Sequence, residues 1–357
     1  MTKEERILCA LSREQPDRVP LYDLVSNFAV LSRYAGTEVT TENAPRTVPI
    51  AIGASLDMTR HWLPSALTRR VDERGFTHEY KDPFTEWVVA QPFRNEAETA
   101  AWIESDIERL GNWKAPQGDA YGDLVRERQE MKAAYGGTVL PAAMGGIALS
   151  EAYIILGLDL FIAIESENQD LIDRWLAALH RQAMERISSD QDCRSFSPVG
   201  WIFNDIAYKG RLMFSPDYLQ RHDVFRHLAE MCDLYHSLGL KAIYHSDGYI
   251  RPIIPELIKA GVDAIAPVEL SSGLDLRDLK DTFGKEVAFI GGMDLDILRF
   301  GSVDQVRQTA VETLRIMATG GGFVLGSDSE ELIDSLPADN VIAMHEIAKD
   351  SAKYLAR

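Results

Sequence analysis

The sequence predicts an α/β protein, a single (β/α)8 barrel of the TIM type with extra N-terminal helices and a small antiparallel excursion. Three observations lead there. Residues 241–269, KAIYHSDGYIRPIIPELIKAGVDAIAPVE, read as strand, polar loop, helix and strand, a βαβ unit that brings a parallel sheet and a right-handed crossover. Strands and helices alternate from about residue 138 to 330 with short loops and no Pro/Ser-rich linker, so residues 1–357 are expected to form one domain. Ionisable residues recur just past the predicted strands, and the C-terminal strand ends are the ligand face of a parallel barrel.

In chain order, residues 3–14 make a first helix with Ile7, Leu8 and Leu11 on its apolar face. Residues 19–22 begin the first strand between Pro16, Pro20 and the terminal Asp23. Between about 45 and 95 the pattern is less regular, and polar–apolar alternation between Gly75 and Pro83 predicts a two- or three-stranded antiparallel excursion placed to cover the barrel mouth. Two helices over 96–133 are separated by the Gly/Pro-containing stretch 111–118. A strand over 138–144 runs into Gly145 and Gly146, followed by helices over 148–156, 160–164 and 171–187. Residues 201–203 form a strand ending at Asn204 and Asp205, and Pro216 opens a helical stretch to about Leu238. Within the central unit, 241–244 is a strand, 250–260 a helix closed by Gly261, and 264–268 the next strand. Residues 287–290 form a strand ending in Gly291, Gly292, Met293 and Asp294. Ser302 with Gln305 makes a capping box for a helix to about Met317. Residues 323–325 are the last strand, with Gly326, Ser327 and Asp328 at its end, and helices finish the chain.

The totals exclude several classes of function. The formal net charge is −18, and so acidic a surface repels phosphate backbones, which argues against nucleic-acid binding. No apolar run reaches the roughly 20 residues that span a bilayer. The amphipathic N-terminus does not read as a signal peptide. Cys9, Cys193 and Cys232 are sparse, odd in number and without a CxxC pair, which fits a reducing cytoplasm.

The strand-end residues are the candidates for chemistry. Asp205, His245, Asp247 and Glu269 are the catalytic candidates; Asp23, Tyr153, Asn204, Tyr208, Lys209, Asp294 and Ser327 are those for substrate binding. Taken singly, each has a plainer explanation: Asp247 and Asp294 precede helices and fit N-caps, His245 fits a core histidine, and Glu269 fits a solvated loop or an ion pair. Their number on one predicted face favours an active site. The His245-x-Asp247 pair, with Glu269, offers three ligand types that Zn²⁺ accepts, although cysteine is missing from every predicted strand end. Asp205, followed by Tyr208, Lys209 and Arg211, puts two cations beside one carboxylate, which suits an anionic substrate or a surface ion-pair loop. Trp201, Tyr208 and Phe214 could wall a flat ligand or simply pack.

VPLYD after PDR, MGGIALSEAYIILG, FNDIAYKGRLMFSPDYL, YHSDGYIRPIIPELIKAGVDAIAPVE, GGMDLDILRFGSVDQV and GGGFVLGSDSEELIDSLPADNV together resemble the uroporphyrinogen decarboxylase superfamily. The resemblance implies a TIM barrel, commonly homodimeric, with a deep cleft at the C-terminal strand ends. The decarboxylases of this superfamily bind an acidic tetrapyrrole through an N-terminal RQAGR motif, which is absent here; Tyr153 matches a family tyrosine, whereas Ser327 stands near a family histidine. The corrinoid-dependent methyltransferase branch carries zinc on a His-x-Cys pair and a later Cys. His245 matches that histidine, Asp247 replaces the first cysteine, and Gly326, Ser327 and Asp328 replace the second.

The chain therefore resembles the methyltransferase branch with an oxygen-rich site, harder than a thiolate site and better suited to polarising a methoxyl oxygen. The expected activity is methyl transfer from a small methoxylated or methylated substrate to a corrinoid (cobalamin) protein, with zinc as a possible cofactor and a homodimeric state. A carboxy-lyase acting on a tetrapyrrole or smaller acid is the alternative, and a non-catalytic corrinoid- or tetrapyrrole-binding protein the second.

Overall fold

In a computed structural model that describes residues 1–355, six parallel strands form the main sheet: β1 (Ala143–Gly146), β2 (Val199–Phe203), β3 (Lys241–His245), β4 (Ala264–Val268), β5 (Ala288–Met293) and β6 (Phe323–Ser327). They lie side by side in chain order. Single parallel bridges close the ring: Leu21 to Leu325, Tyr22 to Met58, and Met58 to Val139. Two short segments around Tyr22 and Met58 thus join the six strands, and the expected eight-position barrel is present.

The period-2 alternation of side chains sorts each strand into an inner and an outer face. Val199 and Trp201 of β2, Ile243 of β3, Ala264 and Ala266 of β4, Ala288 and Ile290 of β5 and Val324 of β6 form the inner core with Tyr22, Met58 and Val139. Ile202, Ala242, Tyr244, Ile265, Phe289, Phe323 and Leu325 pack outward beneath the helices. The same parity turns Phe203 and His245 inward at the C-terminal ends of β2 and β3. Opposite this mouth, Ile7, Ala10 and Leu11 of the N-terminal helix Lys3–Leu11 join the inner core and stop the other end of the barrel. A capping box between Thr2 and Glu5 starts that helix. Buried Asp57 anchors it, accepting from Arg6 Nη1 and Arg18 Nη1, each at 2.8 Å.

The expected excursion exists as three antiparallel strands, Arg69–Val71, Thr77–Tyr80 and Glu86–Ala90. It extends beyond the Gly75–Pro83 stretch that its alternation marked. It is inserted after Met58, on the side where the chain leaves the barrel at its C-terminal face. Two helices differ from expectation. The stretch from Pro216 is broken into Pro216–Arg221 and Val224–Ser237 by Asp223, whose φ of 56° is left-handed. The helix expected over 250–260 is a 3-10 turn, Arg251–Ile253, followed by Ile254–Lys259; Pro252 and Pro255 remove the backbone donors that a continuous first turn would use. The capping box at Ser302 and the helix end at Met317 are as read from the sequence. No helix among the described residues is long and apolar enough to cross a membrane.

Barrel closure leaves little room at Gly326. A Cβ built there falls 2.2 Å from the Tyr22 carbonyl oxygen. Because the obstacle is backbone of the neighbouring barrel position, it cannot rotate away. Gly326→Ala is expected to destabilise the fold by about 3 kcal/mol, read as a lower urea midpoint.

A second expectation concerns acid. His345 is fully buried, with Nδ1 3.0 Å from the Tyr34 hydroxyl. Burial, with Lys349 nearby, pushes its imidazole down to about 3. Above its unfolded value near 6.5 the ring is neutral in both states, so it contributes no pH dependence there. Between about 6.5 and 3 the unfolded chain binds a proton that the folded chain refuses, and stability falls by about 1.4 kcal/mol per pH unit. His345→Gln should flatten the acid side of the melting-temperature profile between pH 6.5 and 4, measured by calorimetry.

Candidate active site

His245 ends β3 pointing into the barrel, and its ring lies between two carboxylates. Nε2 is 3.4 Å from Asp205 Oδ1, and Nδ1 is 3.1 Å from Glu330 Oε2. Asp205 follows β2 and Asp247 follows β3. Adjacent strand ends bring them together, and the Asp247 backbone N–H donates to Asp205 Oδ1 at 3.2 Å. Ligand atoms of Asp205, His245 and Asp247 all lie within 4.8 Å of one another.

The electrostatics follow from crowding. Burial opposes a charge on His245, but Glu330, Asp205 and Asp247 overcome it and raise the imidazole to about 9. Asp247 is open to solvent, yet the protein around it displaces enough water to push its carboxyl up to about 6; Asp205 and Glu330 add to the rise and His245 opposes it. Burial pushes Glu330 upward as well, but His245 and Arg60 outweigh this and hold it below the ordinary glutamate value. Arg60 leaves the Met58 position and completes the group: Nη2 is 3.1 Å from Glu330 Oε2, and Nε donates to the Tyr22 hydroxyl at 3.2 Å. Its guanidinium lies over the faces of Trp201 and Phe203, 5.6 and 5.1 Å from the ring centroids.

The other sequence-predicted residues divide by what they touch. Glu269 lies outside the three-ligand group: it accepts from the Gly248 N–H at 2.7 Å and from Ser271 Oγ at 2.8 Å. Of the three residues expected as ligands, His245 and Asp247 lie together and are joined by Asp205, while Glu269 lies apart from them. Asp23 and Ser327 are buried and bonded to each other, Ser327 donating N–H and Oγ–H to Asp23 Oδ1 at 2.8 and 2.7 Å. Burial raises the Asp23 carboxyl well above the usual range. Asn204 is buried and donates to the Tyr244 hydroxyl at 2.9 Å. Tyr153 donates to the Asp205 carbonyl and so braces the loop that carries Asp205. Asp294 caps the helix Leu295–Phe300, accepting from Asp296 N–H at 2.7 Å; its plainer sequence explanation is the observed one. Asp247 caps no helix. Tyr208 and Lys209 sit on an exposed hairpin turn formed by Ala207–Tyr208 and Arg211–Leu212.

Sequence reasoning missed Tyr22, Arg60 and Glu330. In the sequence Tyr22 is a plain strand residue, and Arg60 follows a strand position too short to show a pattern. Glu330 lies three residues past β6, in the run GSDSEE, where one acidic residue looks like another. Its signal is conformational: Glu330 has a φ of 60° and is 2% exposed, a strained backbone on a buried charge, which clusters at functional sites.

The uroporphyrinogen decarboxylase (URO-D) family model matches residues 213–351. Over that stretch the chain is URO-D-like. The matched stretch includes His245, Asp247, Glu269, Asp294, Ser327 and Glu330, and the matching model is of the superfamily that the sequence resembles. The chain shares its fold with a methyltransferase from Methanosarcina mazei, at a TM-score of 0.67 and 17% identity, covering 98% of this chain and 99% of that one. No curated protein matches the sequence.

The buried charges yield a test of their own. Removing one partner of a buried ion pair leaves the other charge uncompensated. Arg60→Leu should destabilise by about 2–3 kcal/mol and Glu330→Leu by about 3–5 kcal/mol. The double variant should cost clearly less than the sum, since the two share one contact. Urea unfolding of the four proteins measures the coupling.

Proposed function

We propose that this protein is a methyltransferase that takes a methyl group from the oxygen of a small methoxylated substrate and passes it to the cobalt of a corrinoid on a separate protein. The observation that carries this reading is the oxygen-rich group of Asp205, His245 and Asp247, gathered within 4.8 Å at the inner mouth of the barrel. The fold shared with a methyltransferase is consistent with it.

The donor set fits a divalent ion. Two carboxylates and one imidazole are three ligands accepted by Zn²⁺, and they leave a further coordination position for a substrate. When bound, such an ion supplies Lewis-acid polarisation of the ether oxygen. Asp205, His245 and Asp247 would hold it. Arg60, Glu330 and Tyr22 would keep the His245 side of the group fixed. Phe203, partly exposed beside His245, would give an apolar wall for the organic part of the substrate.

In the proposed reaction the methyl carbon–oxygen bond breaks and the electron pair stays on oxygen, which takes up a proton. A Co(I) corrinoid supplies the two electrons of the new carbon–cobalt bond. With Asp247 holding the ion, the proton comes from solvent at the mouth. Barrel-mouth loops, including the exposed turn at Tyr208 and Lys209, would receive the corrinoid protein.

Two measurements test this. Metal analysis of protein purified without chelator should find about one divalent ion per chain, lost in His245→Ala and reduced in Asp205→Asn. With a reduced corrinoid and a panel of methoxylated compounds, the wild type should form methylcobalt, seen as a change in the corrinoid absorption. His245→Ala should lower the rate at least about 100-fold. No transfer from any compound, with release of a decarboxylated porphyrin from uroporphyrinogen instead, would replace this reading by the carboxy-lyase.

A further inference from the structure

We infer that Glu330 is a positioning residue that holds the Nδ1 side of His245 so that Nε2 faces Asp205 and the mouth. The inference rests on the metal-site reading above for its functional meaning, but its geometry stands apart from it. Glu330 Oε2 lies 3.1 Å from His245 Nδ1 and 3.1 Å from Arg60 Nη2, so one oxygen serves two cationic partners on two different barrel positions. The His245 contact is an ion pair and not an aligned hydrogen bond. The opposite ring nitrogen is turned to Asp205 at 3.4 Å. The ring is thus clamped across its width by one carboxylate behind and one in front.

Three further features set Glu330 apart from an ordinary ion-pair residue. It is buried to 2% exposure, where an unpaired carboxylate is costly, and its Oε1 has no partner. It keeps a φ of 60°, a left-handed conformation that a non-glycine residue adopts only under constraint. It is tied into the barrel at both sides: the Leu24 N–H donates to the Glu330 carbonyl at 2.7 Å, and Glu331 and Leu332 pair in parallel with Leu24 and Val25. A strained, buried residue held this firmly can fix a ring orientation that a flexible surface glutamate could not. A carboxylate behind a metal-binding imidazole typically sets ring orientation and raises ligand basicity, and losing it typically costs 10- to 100-fold in metal affinity.

The test uses the intact protein in two states. In chelator-treated protein, nitrogen-15 imidazole spectra should show one His245 ring orientation with a slowly exchanging Nδ1 proton. Glu330→Ala should lose that signature, and Glu330→Gln, which keeps an acceptor and the side-chain shape, should weaken it. Titration with Zn²⁺ should show affinity lower by about 100-fold in Glu330→Ala and about 10-fold in Glu330→Gln. Glu331→Gln changes the neighbouring carboxylate, which accepts from Ser26 Oγ at 2.9 Å and lies outside the site, and should stay within about threefold of wild type. If Glu330→Ala does not fold, Glu330→Gln alone decides.

An unchanged His245 signature in the Glu330 variants overturns the inference, as does a Zn²⁺ affinity equal to wild type or a loss as large in Glu331→Gln as in Glu330→Gln. A wild type that takes no metal while the Glu330 variants lose the ring signature overturns the metal reading and leaves the positioning role standing.

Discussion

Burying a carboxylate among other carboxylates is the constraint from which this barrel mouth follows. Glu330 sits at 2% exposure close to Asp205 and Asp247 and can remain ionised only because Arg60 and His245 are brought against one of its oxygens. Each of those cations is in turn placed by the barrel. His245 points inward because it has the same parity on β3 as Ile243. Arg60 arrives from the Met58 position and is laid across Trp201 and Phe203. The inner core of small and branched side chains below them leaves the floor dry, which is what makes the pairing compulsory.

The charge pattern also explains why the site differs from a thiolate metal centre. Where the resembled methyltransferases present soft cysteine ligands, this chain presents Asp247 after His245, with Gly326, Ser327 and Asp328 after the last strand. The structure spends Ser327 on Asp23 and sends one Asp328 oxygen to the Leu295 N–H at 3.1 Å. The oxygen atoms gathered with His245 at the mouth come from Asp205 and Asp247, while Glu330 takes the Nδ1 side of the ring. Such a set prefers hard ions and oxygen substrates, and it is this preference that separates the proposed ether chemistry from thiol activation.

Much of this was legible in the sequence, for identifiable reasons. Short apolar runs between glycine- and proline-marked turns gave away the parallel barrel, and the strand-end rule gathered Asp205, His245 and Asp247 without any contact information. Helix ends governed by local chemistry were equally readable, as at Ser302 and Gln305. What stayed hidden depends on closure in three dimensions. Two barrel positions consist of single bridges at Tyr22 and Met58, too short for periodicity to register, and Arg60 follows one of them. Glu330 lies in an acidic run that a linear reading takes for solvated loop. Glu269 was grouped with the ligands because it ends a strand, but its carboxylate is drawn off by the Gly248 N–H and Ser271.

The stopper at the other end of the barrel has a kinetic meaning. Ile7, Ala10 and Leu11 of the first helix fill the inner core opposite the mouth, so nothing reaches His245 through that end of the barrel. Traffic to a site open on one side is last in, first out. Under the proposed function, a small molecule at His245 would be seated before anything large covers the rim and would depart only after that cover has lifted. An ordered sequence of arrivals would then follow from nine residues far from the mouth.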